Sequence, residues 1–182
     1  ETYTSEMIHD IREGQNLDKA FFGYLAFGAP HFPRHAQTEL SEKYEERCMR
    51  GWDVIRQQRH DSLKEKGLIN GEAIMAERLE RVPAWEDVGE DQRKYQARKM
   101  AVYAGMVDSL DQNVGKLISF LKSIGEYDNT VFLFLSDNGP EANDFTTYPY
   151  VPAASDWIAS TFDNSYNNLG KIGSYILSLI PN

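Results

Sequence analysis

Two runs of apolar residues, separated by a long amphipathic segment, constrain the fold of this 182-residue chain more than any other feature. Residues 20–27 read AFFGYLAF and residues 130–135 read TVFLFL, without alternation between apolar and polar positions. Continuous apolarity over this length is typical of a β-strand that is covered on both faces. Strand, helix and strand in this order predict a βαβ unit with mainly parallel strands covered by helices. The expected fold class is therefore α/β.

The segment before the second run contains the clearest helix of the sequence, expected from Asp91 to Ser123. Its apolar residues recur at alternating steps of three and four, which places them along one helix face. This stripe consists of Met100, Tyr103, Val107, Leu110, Val114, Leu117, Leu121 and Ile124. Gly125 follows at the position where glycine commonly ends a helix. Asp108 lies off the stripe and is expected to be solvated.

Charge and composition exclude two classes of function. The chain has 19 Lys and Arg against 28 Asp and Glu, a net charge of −9, and this balance argues against general nucleic-acid binding. The longest apolar stretches are far shorter than a membrane span.

The densely charged region 39–67 predicts two surface helices, around 41–50 and 52–66, with Gly67 ending the second.

Each apolar run is followed by a short loop with chemically useful side chains. The first loop carries His31 between two prolines, and the second is Ser136-Asp137-Asn138-Gly139. In an open α/β sheet, ligands bind beyond the carboxyl ends of the strands. Parallel strands would therefore bring His31 and the Asp137-Asn138 pair to the same edge.

These loop residues have a functional and a structural interpretation. Asp137 and Asn138 offer hard oxygen donors that suit Ca²⁺ or Mg²⁺, but Asp-Asn-Gly is also a common turn sequence. His31 could donate a hydrogen bond to an anionic substrate or protonate a leaving group, or it could be an ordinary loop histidine. The other histidines lie in polar stretches and are expected at the surface: His9, His35 and His60.

Two blocks of the sequence resemble a known family. Residues 21–33 read FFGYLAFGAPHFP, and residues 103–139 read YAGMVDSLDQNVGKLISFLKSIGEYDNTVFLFLSDNG. Together with the intervening GWDVIRQQR and VPAW elements, they resemble the central part of a type I sulfatase of the arylsulfatase kind. The resemblance implies a partial alkaline-phosphatase-like sheet and hydrolysis of sulfate esters, on small molecules or glycans.

The resemblance also implies roles for three residues. Asp137 and Asn138 match the family's Ca²⁺ ligands, and His31 matches the histidine that contacts the sulfate group. The family's nucleophile is a formylglycine made from Cys or Ser in a C/S-x-P-x-R motif, and its hydrated aldehyde attacks sulfur while calcium and cations stabilise the charged oxygens. Cys48 is followed by Met49 and lies outside such a motif, and no Ser-x-Pro-x-Arg occurs in these residues.

We therefore expect residues 1–182 to form an incomplete sulfatase catalytic domain, with its N-terminal and C-terminal parts absent. Two hypotheses remain open: a part of the active site of a Ca²⁺-dependent sulfuric ester hydrolase, or a noncatalytic, self-associating remnant. For these residues alone we expect no activity, weak or no Ca²⁺ binding, and a homo-oligomer that buries side chains such as Phe21 and Phe132. A monomer by light scattering would contradict the last expectation.

A phosphatase or phosphodiesterase of the same superfamily is a further alternative. Enzymes of that kind place two metal ions at an equivalent edge. Their sites need more His and Asp ligands than His31 and Asp137 supply, so the sulfatase interpretation is preferred.

Overall fold

A computed structural model describes residues 1–15, 19–139 and 152–176 of the chain. Its α-helices, in chain order, are α1 (Thr2–Gly14), α2 (Thr38–Met49), α3 (Trp52–Glu65), α4 (Glu90–Ser123) and α5 (Pro152–Thr161). Short 3-10 turns are found at Trp85–Asp87, Tyr127–Asn129 and Tyr166–Asn168. The helices predicted in the charged region and before the second apolar run are confirmed as α2, α3 and α4.

The predicted parallel sheet is wrong for this structure. The described residues contain no β-strand, and the two apolar runs have no regular secondary structure. Their side chains are largely exposed, with Phe22 94% and Leu133 86% accessible. An apolar pattern indicates that a segment can be buried. A β-strand forms only where a neighbouring backbone makes hydrogen bonds to its N–H and C=O groups. Neither run finds such a partner among the described residues, so the α/β expectation is overturned.

Helix α4, with 34 residues, is the longest element and has clear signals at both ends. Gly89 precedes it in an extended conformation, and Glu90 and Asp91 place negative charge at the positive end of the helix dipole. At the other end Gly125 adopts a φ of 77° and its N–H donates to the carbonyl of Lys122. This is the glycine-terminated helix end that the sequence predicts. Among the described residues, no helix combines the length and the apolar character that crossing a membrane requires.

The close contact of α4 with α2 uses small residues and not the predicted apolar stripe. Ala97 and Ala101 are fully buried against Cys48 of α2. One turn further along, Gly105 faces the start of α2 so closely that an added Cβ would lie 3.0 Å from the Ser41 backbone nitrogen. Within the stripe, only Leu121 is buried and the other members are half-buried or exposed. The hydrophobic pattern therefore does not identify the face of α4 that packs against α2, because that face consists of small residues that let the two backbones approach closely.

A second cluster lies on α4 beside the first one. Val102 is fully buried against Leu169 and Ile176, and Ala36 and Tyr95 pack around them. The cluster joins three separate parts of the chain: the approach to α2, the middle of α4, and the segment after α5. It is therefore one of the contacts that hold the C-terminal described segment onto the helical core.

Asp108 is half-buried and hydrogen-bonded, contrary to the prediction that it is solvated. Its carboxylate accepts hydrogen bonds from Lys43 Nζ at 2.7 Å, Tyr44 Oη at 2.9 Å and Gln112 Nε2 at 3.0 Å. The bonds from Lys43, Gln112 and Tyr44 lower the pKa of Asp108 to about 2. This carboxylate is a second attachment of α2 to α4, on the polar side of their contact.

The tight approach at Gly105 predicts that a single methyl group weakens the fold. Gly105→Ala gains up to about 1 kcal/mol of helix propensity, but overpacking against Ser41 and Leu40 costs about 1–3 kcal/mol. We expect a net loss of about 1 kcal/mol in the free energy of unfolding, measured by urea denaturation. Gly115→Ala, in the same helix with no atom within 4 Å of the added Cβ, is the matched control and is expected to stabilise. A Gly105→Ala variant as stable as Gly115→Ala would contradict the proposed close packing.

The carboxylate of Asp108 predicts a pH-dependent contribution to stability. Because its pKa is lower in the folded chain than its ordinary value near 3.8, the contribution is complete above that value and is lost as the pH falls towards 2. Asp108→Asn is expected to lower stability at neutral pH by about 1 kcal/mol, a modest figure because Lys43 is largely solvated. Thermal unfolding from pH 7 to pH 2.5 or so checks this. The exposed Asp111→Asn is the control, and a difference between wild type and Asp108→Asn that persists unchanged in acid would contradict the assignment.

Candidate functional site

The loop that carries His31 is attached to one short segment near the end of the described chain. We call residues 28–36 the histidine loop and residues 170–176 the anchor segment. The Ala36 N–H donates to the Gly170 carbonyl at 3.0 Å, and His35 Nε2 lies 2.8 Å from the Ser174 carbonyl oxygen. One residue before His35, Arg34 Nη1 donates to the Ile176 carbonyl at 3.0 Å. Side chains and backbone thus fix the C-terminal half of the loop.

Two of these anchors are residues whose role the sequence did not reveal. His35 is half-buried and bonded to the Ser174 carbonyl, so the prediction that it is an ordinary surface histidine is wrong. Arg34 is buried, and this burial lowers the pKa of its guanidinium from its ordinary high value. A cationic residue next to a Phe-Pro pair gives no local signal of burial, because its acceptor on Ile176 lies far away in the sequence.

His60 is also less exposed than predicted. Its side chain is largely enclosed, and neither ring nitrogen has a hydrogen-bond partner within the described residues. His9 is exposed on α1, as predicted.

His31 itself is exposed, and its own loop fixes its orientation. Its backbone N–H donates to the Gly28 carbonyl at 3.0 Å, and its ring nitrogen Nδ1 lies 2.6 Å from the Phe32 carbonyl oxygen. A carbonyl oxygen can only accept, so Nδ1 carries the hydrogen and Nε2 is the nitrogen that faces outward. In the neutral ring Nε2 can only accept a hydrogen bond. His31 therefore becomes a donor towards an anion when the ring is protonated.

Asp137 and Asn138 form a local turn. The Asn138 N–H donates to Asp137 Oδ1 at 3.0 Å, and Asn138 Nδ2 donates to the Gly139 carbonyl at 3.0 Å. The Gly139 N–H in turn donates to Ser136 Oγ at 3.1 Å. The structural interpretation of Asp-Asn-Gly as a turn thus fits these bonds. The turn leaves Asp137 Oδ2 and Asn138 Oδ1 exposed and without a hydrogen-bond partner in the described part of the chain.

The structure does not join the two predicted halves of the site. Across residues 1–15, 19–139 and 152–176, no hydrogen bond, ion pair or ring contact links His31 to Asp137 or Asn138. The described residues also contain no group of three or more His, Cys, Asp or Glu side chains that could hold a metal ion. Two exposed oxygens fit Ca²⁺ in their chemistry but supply only part of its 6–8 ligands.

Comparison with known proteins identifies the class to which the chain belongs. The model of the sulfatase family matches residues 1–170. The chain therefore belongs to the sulfatase family, and the resemblance seen in the sequence is confirmed.

Individual relatives support the same assignment. The chain is 37% identical over 176 residues to an uncharacterized sulfatase of Schizosaccharomyces pombe, covering 96% of this chain and 31% of the relative. It is 35% identical over 176 residues to an arylsulfatase of Klebsiella aerogenes, covering 97% of this chain and 37% of the relative. A shorter match, 33% over 88 residues, is to an N-acetylglucosamine-6-O-sulfatase of Bacteroides thetaiotaomicron and covers 48% of this chain and 12% of the relative. The chain thus spans about a third of the length of the first two relatives.

The anchoring of the histidine loop can be tested at Gly170. This residue has a φ of 86°, and an added Cβ would lie 2.5 Å from Val102 Cγ2. Gly170→Ala is expected to lower the free energy of unfolding by about 2 kcal/mol or more, from backbone strain and overpacking together. It should also speed hydrogen exchange at the Ala36 N–H, which donates to the Gly170 carbonyl.

The matched control is Gly71→Ala, because nothing lies within 4 Å of a Cβ added there. If Ala36 exchange in Gly170→Ala equals that in Gly71→Ala, the anchor segment does not hold the loop.

Proposed function

We propose that this chain contributes His31, Asp137 and Asn138 to the active site of a sulfate ester hydrolase. The observation that carries the proposal is the match of the sulfatase family model across residues 1–170, which include both the histidine loop and the Asp137 turn. Relatives named as an arylsulfatase and as an N-acetylglucosamine-6-O-sulfatase support the same reaction class. The substrate is then a sulfate ester of a small molecule or of a glycan.

His31 is the residue proposed to contact the sulfate group. Its Nδ1 is engaged by the Phe32 carbonyl, so the outward Nε2 is the atom that meets the substrate. When protonated, Nε2–H donates a charge-assisted hydrogen bond to a sulfate oxygen, which is stronger than a neutral bond. The hydrogen bond to Phe32 holds the ring in one orientation, so little side-chain freedom remains to be lost when the anion binds.

Asp137 and Asn138 are the residues proposed to hold Ca²⁺. Their exposed oxygens, Asp137 Oδ2 and Asn138 Oδ1, are hard donors of the kind that Ca²⁺ prefers. A bound divalent cation would supply positive charge for the oxygens of the sulfate group. The two donors belong to adjacent residues, and the hydrogen bonds of the turn hold the backbone around them.

The 182 residues alone are proposed to be inactive. They contain no C/S-x-P-x-R motif, so they supply no residue for conversion to formylglycine. A set of catalytic residues that acts as a unit loses most of its rate acceleration when the nucleophile is missing. Self-association through the exposed apolar runs also stays a prediction.

The proposed function is tested by comparing this 182-residue chain with the protein encoded by the whole reading frame around it. We expect no release of 4-nitrophenolate from 4-nitrophenyl sulfate by the chain, and turnover by the whole protein. In the whole protein, His31→Ala should lower kcat/KM by about 100-fold or more. His9→Ala, an exposed histidine on α1, is the control and should leave the rate unchanged. A whole protein that hydrolyses no sulfate ester would contradict the proposal.

The metal assignment predicts weak Ca²⁺ binding by the chain itself. Two protein oxygens are too few for a tight site, so calorimetry should give a dissociation constant above about 1 mM. Tight, stoichiometric uptake that Asp137→Ala abolishes would contradict this expectation. Asp128→Ala, an exposed acidic residue in the turn after α4, is the matched control.

A further inference from the structure

A contiguous set of aromatic rings begins at His31 and continues away from it. The His31 ring stacks on Phe32 with centroids 4.2 Å apart, and Phe32 lies 6.3 Å from Tyr175. Tyr175 in turn lies 5.0 Å from Phe162 and 6.2 Å from Trp157. We call these five residues the ring cluster. It connects the histidine loop, the anchor segment and α5.

The ring cluster is open to solvent at both ends. His31 is exposed at one end, and Trp157 is 52% exposed at the other. The three rings between them are half-buried, so they have surface available for contact. Trp157 and Phe162 meet edge to face at 84°, one of the preferred geometries of aromatic pairs. The patch is therefore an ordered apolar surface that starts at the residue proposed to contact sulfate.

The charges around the ring cluster match the polarity of a sulfate ester. Such an ester has an anionic head and, one oxygen atom away, an organic group that becomes the leaving alcohol. His31 supplies the donor for the head at one end. Two exposed acidic residues, Asp156 and Asp163, adjoin Trp157 and Phe162 in the sequence at the other end. Bonds from Ser165 lower the pKa of Asp163, which keeps this group ionised. The Trp157 end is therefore less favourable to an anionic head than the His31 end.

We propose that the ring cluster is the binding subsite for the organic group of the sulfate ester, and that it selects a flat aromatic group. This inference rests on the proposed function, because His31 must first hold the sulfate. Phe32 and Tyr175 contact the ring nearest the ester oxygen, and Trp157 contacts the far part of a larger group. Tyr175 and Trp157 are therefore the specificity-determining residues.

The experiment measures binding to the 182-residue chain by NMR titration at mildly acidic pH, with inorganic sulfate, 4-nitrophenyl sulfate, 2-naphthyl sulfate and 4-nitrophenol as probes. One ring contact of this kind corresponds to roughly three- to tenfold in affinity. We expect 4-nitrophenyl sulfate to bind tighter than inorganic sulfate by that factor, and 2-naphthyl sulfate tighter again. Tyr175→Ala should remove the gain and Tyr175→Phe should retain it.

If Tyr175→Ala unfolds, Trp157→Ala still tests the subsite, because Trp157 is exposed and its truncation is not expected to unfold the chain. It should weaken 2-naphthyl sulfate about threefold and leave inorganic sulfate unchanged. Tyr24→Ala, an exposed aromatic residue outside the ring cluster, is the matched control and should change neither probe.

The outcomes separate this inference from the proposed function. If inorganic sulfate binds in a His31-dependent way and the aromatic group adds nothing, the subsite is wrong and the proposed function stands. The same titration is run with N-acetylglucosamine 6-sulfate, and tighter binding of this sugar sulfate than of 4-nitrophenyl sulfate would also overturn the subsite. If His31→Ala leaves both sulfate probes unaffected while 4-nitrophenol still shifts the signals of Tyr175 and Trp157, the subsite stands and the role of His31 in the proposed function is wrong.

Discussion

The close contact between α2 and α4 is the interaction on which the rest of the described structure depends. It requires small residues, Ala97, Ala101 and Gly105, at one position per helical turn, so that α2 can approach the α4 backbone. Cys48 fills the apolar side of this contact and Asp108 bonds the polar side. Because apolar packing on one side and hydrogen bonds on the other both hold the two helices, α2 has one defined position on α4. Ala36, just before α2, is thereby placed against Val102 and the anchor segment.

The sequence predicted the local features of the fold and missed those that depend on distant partners. The ends of α3 and α4 could be predicted because a glycine with positive φ is a local requirement, met at Gly67 and Gly125. Strands were wrongly predicted at residues 20–27 and 130–135, because an apolar run does not show whether another backbone segment pairs with it. The buried face of α4 was missed for a related reason. Hydrophobic periodicity identifies large apolar side chains. Gly105 is buried because the absence of a side chain lets the backbone of α2 approach it closely.

The same distinction applies to the candidate site. His31, Asp137 and Asn138 were predicted as candidates from their residue types and from their positions after apolar runs. Their hydrogen bonds are local, within one to three residues, so each retains its geometry wherever its loop lies. The residues that hold the histidine loop in place, Arg34 and His35, bond to carbonyl groups about 140 positions away. No pattern in the neighbourhood of residue 34 or 35 encodes such an acceptor.

Binding an anion in a chain of charge −9 depends on local groups, because exposed charges more than about 8 Å apart are largely screened at physiological salt. The net negative charge therefore does not oppose the proposed contact of His31 with a sulfate group. Its imidazole is held by the Phe32 carbonyl, a neutral acceptor, and not by a carboxylate that would neutralise it. A carboxylate in that place would offset the charge that an anion must meet. The carbonyl orients the ring without compensating the charge of an imidazolium, and it leaves Nε2 as the ring nitrogen that can meet an anion. The Phe32 carbonyl thus orients the ring without neutralising it, and this suits the exposed His31 to its proposed role as a hydrogen-bond donor to an anion.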